Sequence, residues 1–226
     1  LLSYSVEKQI PVVLCTTGLS EEQLALEIGE SATLTATCDP EAVDSTEIEW
    51  KSSDEKVATV KAGKVTGKKE GTATITASVG GKKATCKVSV TKAGVEYRTH
   101  VQTYGWQNWV SNGEMSGTTG ESKRLEGIEI RLSDSKYEGS IQYRTHVQTY
   151  GWEKEWTADG EMSGTSGQAK RLEAIQIKLT GEIAEMYDVY YRVHAQTYGW
   201  LGWAKNGECA GTAGLSKRLE GIEIVL

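Results

Sequence analysis

Three times the chain sets Arg, His, Gln and Tyr at alternate positions and follows them with Gly-Trp. The run YRTHVQTYGW occupies 97–106 and again 143–152, and YRVHAQTYGW occupies 191–200. If the run is a β-strand, successive side chains alternate, so Arg98, His100, Gln102 and Tyr104 share one face while Tyr97, Thr99 and Val101 share the other. Two kinds of chemistry fit that polar face. It can offer hydrogen-bonding groups beside an aromatic plane to a ligand. Alternatively it is an internal network of Arg98, His100, Gln102, Arg124 and Glu126, in which Arg98 or Arg124 pairs with Glu126 and His100 bonds backbone, because buried polar groups must be partnered. The internal network is the favoured expectation.

The tryptophans come in pairs, Trp106 with Trp109, Trp152 with Trp156 and Trp200 with Trp203. An indole offers a broad apolar face and one N–H donor, which suits stacking on a sugar ring but more often fills a core. Trp106, Trp152 and Trp200 follow the glycine at a strand end and are expected in the core; Trp109, Trp156 and Trp203 are expected as surface platforms. With neighbouring turn residues they form three candidate ligand clusters: Trp109, Asn112 and Glu114; Trp156, Asp159 and Glu161; Trp203, Asn206 and Glu208. Each would be weak alone, and a repetitive ligand engaging several would gain avidity.

Catalysis and metal binding find little support. The chain has three histidines, His100, His146 and His194. Gathered on a three-fold axis they could ligate zinc, but as copies of one another they are expected in separate surroundings. Glycoside hydrolysis takes two carboxylates in different environments, whereas Glu126, Glu173 and Glu220 are copies. No G-x-S-x-G, H-E-x-x-H, phosphate-loop or Cys–His pattern occurs. The expectation is therefore no catalytic residue, no metal and no cofactor.

The elements that position these groups are read as β throughout: the chain is all-β, with short Val/Ile/Thr/Tyr runs between turn-forming clusters. A helical turn could sit at 180–188. A recurrence of roughly 47 residues marks a supersecondary unit that needs its neighbours to bury its apolar face. The boundaries read as a leader or preceding segment at 1–11, a first domain at 12–92, and three repeats at 95–140, 141–188 and 189–226. Each repeat is read as four strands. The middle pair is a hairpin around Asn112-Gly113, Asp159-Gly160 or Asn206-Gly207, dipeptides suited to a type I′ turn. In the last strand Ile128, Ile130 and Leu132 form the core stripe. Arg124 and Glu126 share its parity and point inward unless Gly127 makes a bulge, a reading that Ala174 in the second copy weakens. Three such units suggest pseudo-three-fold closure, a trefoil-like plan being favoured over a β-prism.

In the first domain, ATLTATC, TEIEWKS, VATVKAGKVTG, GTATITASVGG and ATCKVSV read as strands of a sandwich. Leu34, Ala36 and Cys38 fall on one face, as do Cys86, Val88 and Val90, so Cys38 and Cys86 are expected inside, either as a disulfide or as two buried thiols. Cys209 replaces Met115 and Met162 and reads as a packing residue. The motifs W-x-S-S-x-x-x-V-A-T-V, G-K-V-T-G and G-T-A-T-I-T-A resemble the group 2 bacterial Ig-like domain. That resemblance implies an extracellular or surface spacer or adhesion module.

The repeats, with H-V-Q-x-x-G-W, W-x-x-x-G, G-T-x-G and K-R-L-E-[GA]-I-x-I, are similar to the clostridial hydrophobic repeats with a conserved tryptophan. This resemblance implies secreted or surface proteins of Gram-positive bacteria that act in adhesion, polysaccharide handling or complex assembly. The expected function is thus non-catalytic binding of a glycan or cell-wall polymer, the alternative being a protein-interaction or spacer module of a surface complex. With 25 Lys plus Arg against 31 Asp plus Glu and a net charge of −6, the basic footprint of a nucleic-acid binder is absent. No apolar run reaches the ~20 residues of a membrane span. The opening residues LLSYSVEKQI read as part of something longer, with room for a secretion signal upstream.

Overall fold

The computed structural model describes residues 16–39, 48–79 and 81–226; the expected leader at 1–11 and Cys15 lie outside them. The chain divides into two compact units between Lys92 and Ala93.

The first unit contains strands β1 Thr16–Leu19, β2 Gln23–Glu27, β3 Ser31–Thr33, β4 Ala36–Asp39, β5 Glu49–Ser52, β6 Ala58–Lys61, β7 Lys64–Gly67, β8 Gly71–Val79 and β9 Lys82–Thr91. One sheet runs β2-β9-β8-β5, with β2 and β9 parallel, and a second runs β3-β7-β6. Period-two alternation points Ala73 and Ile75 of β8, and Cys86, Val88 and Val90 of β9, into one buried cluster. Leu26, Leu34, Ala58 and Val65 meet them there, so the two sheets form a sandwich.

Two local features depart from the sequence reading. The run ATLTATC is not one strand: the ladder stops after Thr33, Leu34 donates to Gly63 and Thr35 accepts from Ser20, and β4 then pairs with β1. The alternation nonetheless continues across the break, Leu34 and Ala36 being more buried than Thr33, Thr35 and Thr37. Cys86 is a buried free thiol rather than half of a bridge, and burial raises its pKa; the side chain of Cys38 lies outside those described. Second, β6 and β7 are joined by Ala62 and Gly63, both left-handed, at φ 46° and 81°. Gly63 is obligatory there, since a Cβ would lie 2.4 Å from the Leu34 carbonyl oxygen.

Each repeat holds five strands where four are expected. The first has β10 Gly94–Val101, β11 Gly105–Trp106, β12 Val110–Ser111, β13 Ser116–Gly117 and β14 Leu125–Ser133. In the second they are β15 Gly139–Val147, β16 Gly151–Trp152, β17 Thr157–Ala158, β18 Ser163–Gly164 and β19 Leu172–Gly181. A helical turn, α1 Ile183–Met186, falls within 180–188 and leads to the third: β20 Tyr190–Ala195, β21 Gly199–Trp200, β22 Ala204–Lys205, β23 Ala210–Gly211 and β24 Leu219–Val225. In every copy the first and last strands pair antiparallel, β10 with β14, β15 with β19 and β20 with β24.

The expected hairpin is not formed. β12 pairs with β10 of its own repeat, whereas β13 crosses to β24 of the third; likewise β18 crosses to β14 and β23 to β19. The Asn-Gly or Asp-Gly turn is thus a bridge between sheets, and three such exchanges close a ring of three. Asp159-Gly160 and Asn206-Gly207 are left-handed at both positions, as a type I′ turn requires, while in the first copy only Gly113 is. The sheets remain three separate ones and the described residues form no closed barrel, which departs from the trefoil-like plan. The reason lies in the pairing, since the free edge of each last strand takes a two-residue strand and not the long strand of the next repeat.

Each seam is built alike. The Ile130 N–H donates to the Tyr143 hydroxyl (3.0 Å), which donates to the Glu161 carbonyl; the Gly160 N–H donates to the Ile130 carbonyl (2.7 Å) and the Thr165 N–H to that of Glu126 (2.7 Å). Tyr97 and Tyr191 do the same with Ile224 and Ile177. Gly164, at φ 95°, is needed because a Cβ would stand 2.6 Å from the Glu126 carbonyl oxygen. Inside, the stripe residues Ile128 and Ile130 and their copies pack with Tyr97, Tyr143 and Tyr191 into one shared core.

Candidate functional site

The predicted alternation holds as far as Val101, with Val95, Tyr97, Thr99 and Val101 buried and Glu96, Arg98 and His100 facing outward, whereas Gln102 and Tyr104 fall in the turn beyond the strand. The chain then turns through Thr103 (φ 70°) and Gly105 (φ 75°), so that Trp106 comes back opposite His100. The two rings meet edge to face with centroids 5.4 Å apart, and the pairs His146–Trp152 and His194–Trp200 repeat this at 5.5 and 5.6 Å.

A bulge decides where the carboxylate goes. His100 pairs with Gly127 and Val101 with Leu125, leaving Glu126 as the extra residue. The bulge recurs in the second copy with Ala174 in place of glycine. Gly127 is not in the left-handed region, so alanine meets no backbone penalty. Glu126, 5% exposed, places one oxygen 2.7 Å from Arg124 Nη2 and the other 3.1 Å from His100 Nδ1. The other copies match at 2.7 and 3.2 Å (Glu173 with Arg171 and His146) and at 2.8 and 3.0 Å (Glu220 with Arg218 and His194). The expected Arg124–Glu126 pair therefore exists, but His100 faces the carboxylate rather than backbone. Its Nδ1 is buried at ion-pair distance without the alignment of a hydrogen bond. Arg98 pairs instead with Glu129, at 2.6 Å.

Arg98 also lies over two indoles, 5.1 Å from the Trp106 centroid and 4.9 Å from that of Trp109. Arg144 stands likewise over Trp152 and Trp156, and Arg192 over Trp200 and Trp203. Trp106, Trp152 and Trp200, expected in the core, are half-buried in this outer layer, outside the core cluster. Cation–π contact with arginine explains their place, since it needs the ring at the sheet surface where the charge stays hydrated. Trp109 and Trp156 are half-buried beneath cations, and Trp203 is 46% exposed.

The candidate clusters are tied up in turn structure. Asn112 Oδ1 accepts from the Leu226 N–H, and Glu114 from the Ser111 N–H. Asp159 accepts from Ser140 Oγ and the Ile141 N–H. Asn206 accepts from the Val189 N–H and donates to Asp188, while Glu208 accepts from the Lys205 N–H. Glu161 contributes its carbonyl to Tyr143. More of the free surface comes from Tyr104, Tyr150 and Tyr198, the tyrosines of the three turns, each more than half exposed. In the first repeat Tyr104, Trp106, Gln107, Asn108 and Met115 line a shallow cleft of about 480 Å³. A larger hollow of about 620 Å³ in the first unit is lined by Leu19, Gln23, Thr72 and Lys83 among others and holds no aromatic group. The arrangement can stack and hydrogen-bond; the three buried carboxylates are each held by their own arginine.

Sequence reasoning missed a trio beneath this layer. Gln107 accepts from Gly117 N–H (2.6 Å) and Thr99 Oγ1, which contacts Ser116 Oγ at 2.9 Å. In the second repeat Glu153 accepts from Thr145 N–H and Oγ1, Ser163 Oγ and Gly164 N–H. In the third the same three places hold Leu201, Val193 and Ala210, all apolar and part of the core packing. The signal was present in the copies, where the three positions change together.

The profile of the family described as Clostridial hydrophobic W matches residues 100–134, 146–181 and 194–226. That of the Bacterial Ig-like domain (group 2) matches 16–88. The chain is also similar to an alpha-L-arabinofuranosidase of Bifidobacterium longum subsp. longum, 48% identical over 82 residues, which is 35% of this chain and 8% of that protein. The chain thus spans less than a tenth of the length of that relative. Both families are typical of bacterial surface proteins. No helix among the described residues is long and apolar enough to cross a membrane.

Proposed function

From a chain that is a group 2 bacterial Ig-like domain followed by three clostridial hydrophobic W repeats, we propose a non-catalytic extracellular or cell-surface binding module whose ligand is a glycan or cell-wall polymer. The observation that carries this is the recurrence of one exposed tyrosine, Tyr104, Tyr150 or Tyr198, beside one tryptophan in each member of a closed ring. A tyrosine face next to an exposed amide such as that of Asn108 suits a pyranose or furanose ring. Three shallow sites presented at fixed positions suit a repetitive polymer, because linked weak contacts gain from effective concentration. The similarity to a protein named for acting on arabinofuranosides supports a carbohydrate ligand. The indoles of Trp109 and Trp156 then serve as secondary contacts, since the turn residues beside them are engaged.

A glycan array probed with the full chain tests the reading. Tyr104→Ala, Tyr150→Ala and Tyr198→Ala, singly and together, are expected to lower polymer binding stepwise with the melting temperature unchanged. Absence of binding to any glycan, or binding indifferent to all three substitutions, would remove the proposal.

A further inference from the structure

The three copies differ at one seat over the second tryptophan. Trp109 carries a second cation, Arg131, 4.2 Å from its centroid, and Trp156 carries Lys178 at 4.1 Å. Both cations come from the same position of the last strand. In the third repeat that position is Val225, and among the described residues Arg192, at 4.8 Å, is the one cation recorded over Trp203. Trp203 is correspondingly the most exposed of the six, at 46%. Across the ladder from Val225 stands Tyr190, 40% exposed, where Glu96 stands across from Arg131 and Gln142 across from Lys178.

We propose that this seat, bounded by Trp203, Val225 and Tyr190, receives a lysine or arginine side chain of a protein partner. The fold itself supplies the precedent, because the same seat is filled twice by such side chains projecting from a strand. The second copy shows that no carboxylate is required: Lys178 sits over Trp156 with Gln142 opposite. An indole face attracts a cation through its quadrupole; the Tyr190 ring alongside already carries Lys205, 5.5 Å from its centroid and neutralised by Asp188, so the attraction comes from the indole. The net charge of −6 favours approach of a basic segment. The site is separate from the tyrosine clefts and stands whether or not those bind glycan.

The test uses the full chain labelled at the indole nitrogens, with the Trp203 resonance identified by its loss in Trp203→Phe. Hexa-arginine is expected to shift that resonance more than the other indoles. Hexaglutamate and a neutral oligosaccharide such as xylohexaose are expected to leave it in place. Val225→Arg, which installs the residue of the first repeat and so should fold, fills the seat from within and weakens hexa-arginine binding there by about three-fold or more. Val225→Ala keeps the seat open and retains the shift. Equal shifts at all indoles, a response indifferent to Val225→Arg, or an equal response to xylohexaose would each overturn the assignment, the last by making the seat a sugar site.

Discussion

The two units bury different things. In the Ig-like unit the described core is apolar apart from Ser52, whereas the repeat unit buries Thr99, Ser116, Thr118, Glu126, Thr145, Ser163, Thr165, Glu173, Thr212 and Glu220 along with its aliphatic stripes. The difference follows from how each closes. A sandwich joins two complete sheets through their apolar faces, and the backbone is already paired within each sheet. A ring of three joins the ends of separate sheets, where two-residue strands and turns leave backbone groups in need of partners, which the Gln107 amide meets in the first repeat and the Glu153 carboxylate in the second.

Alkali should separate the two units most strongly. Burial pushes the hydroxyls of Tyr97 and Tyr191 up to about 12 and that of Tyr143 up as well. An unfolded tyrosine ionises near pH 10. Their contribution is therefore fully present below pH 10 and is lost as pH rises to 12, at about 4 kcal/mol per pH unit for the three together. In the described part of the Ig-like unit, burial likewise raises the Cys86 thiol. Tyrosinate absorbance should show three late-titrating tyrosines whose ionisation coincides with loss of the near-ultraviolet signal of the repeat tryptophans. Titration of all tyrosines as one class near pH 10 with the fold retained would contradict the seam description.

Next in size is the buried trio. Glu153→Leu strands four donors around Thr145, Ser163 and Gly164 and is expected to cost about 3 kcal/mol. Adding Thr145→Val and Ser163→Ala, which copies the third repeat, should bring the loss below about 1.5 kcal/mol, because removing both partners leaves fewer unsatisfied groups. Denaturant melts of the single and triple variants decide whether the three positions act as a unit; a triple variant weaker than the single would show that they do not.

The smallest effect lies in the sandwich. Ala62 is exposed and holds φ 46° in a turn that prefers asparagine. Ala62→Asn should add about 0.5–1 kcal/mol and raise the unfolding temperature of the Ig-like unit by a few degrees. A lowered temperature would mean that the turn does not carry the penalty assigned to it.

Within the repeats, what was legible came from periodicity. The alternation of Tyr97, Thr99 and Val101 against Arg98 and His100 and the Ile128 stripe are consequences of a two-residue period, and that period is written in the residues. The bulge was half legible: Gly127 suggested it and Ala174 argued against it, yet the extra residue is set by the ladder register and not by glycine. The outer layer of arginines and indoles was less legible. Trp106 looked like core because it follows the glycine at a strand end, and nothing local says that Arg98 will lie over it.

By itself, then, the chain determined that there are three like units, which side chains share a face and which residues fill the turns, since these depend on neighbours within a few positions. The tertiary structure decided which edges meet. Whether Ser163 pairs with its own repeat or with Ile128 of the one before depends on which free strand edge lies closest once three units pack. That non-local choice turned the expected hairpins into bridges and placed the tyrosine hydroxyls in the seams.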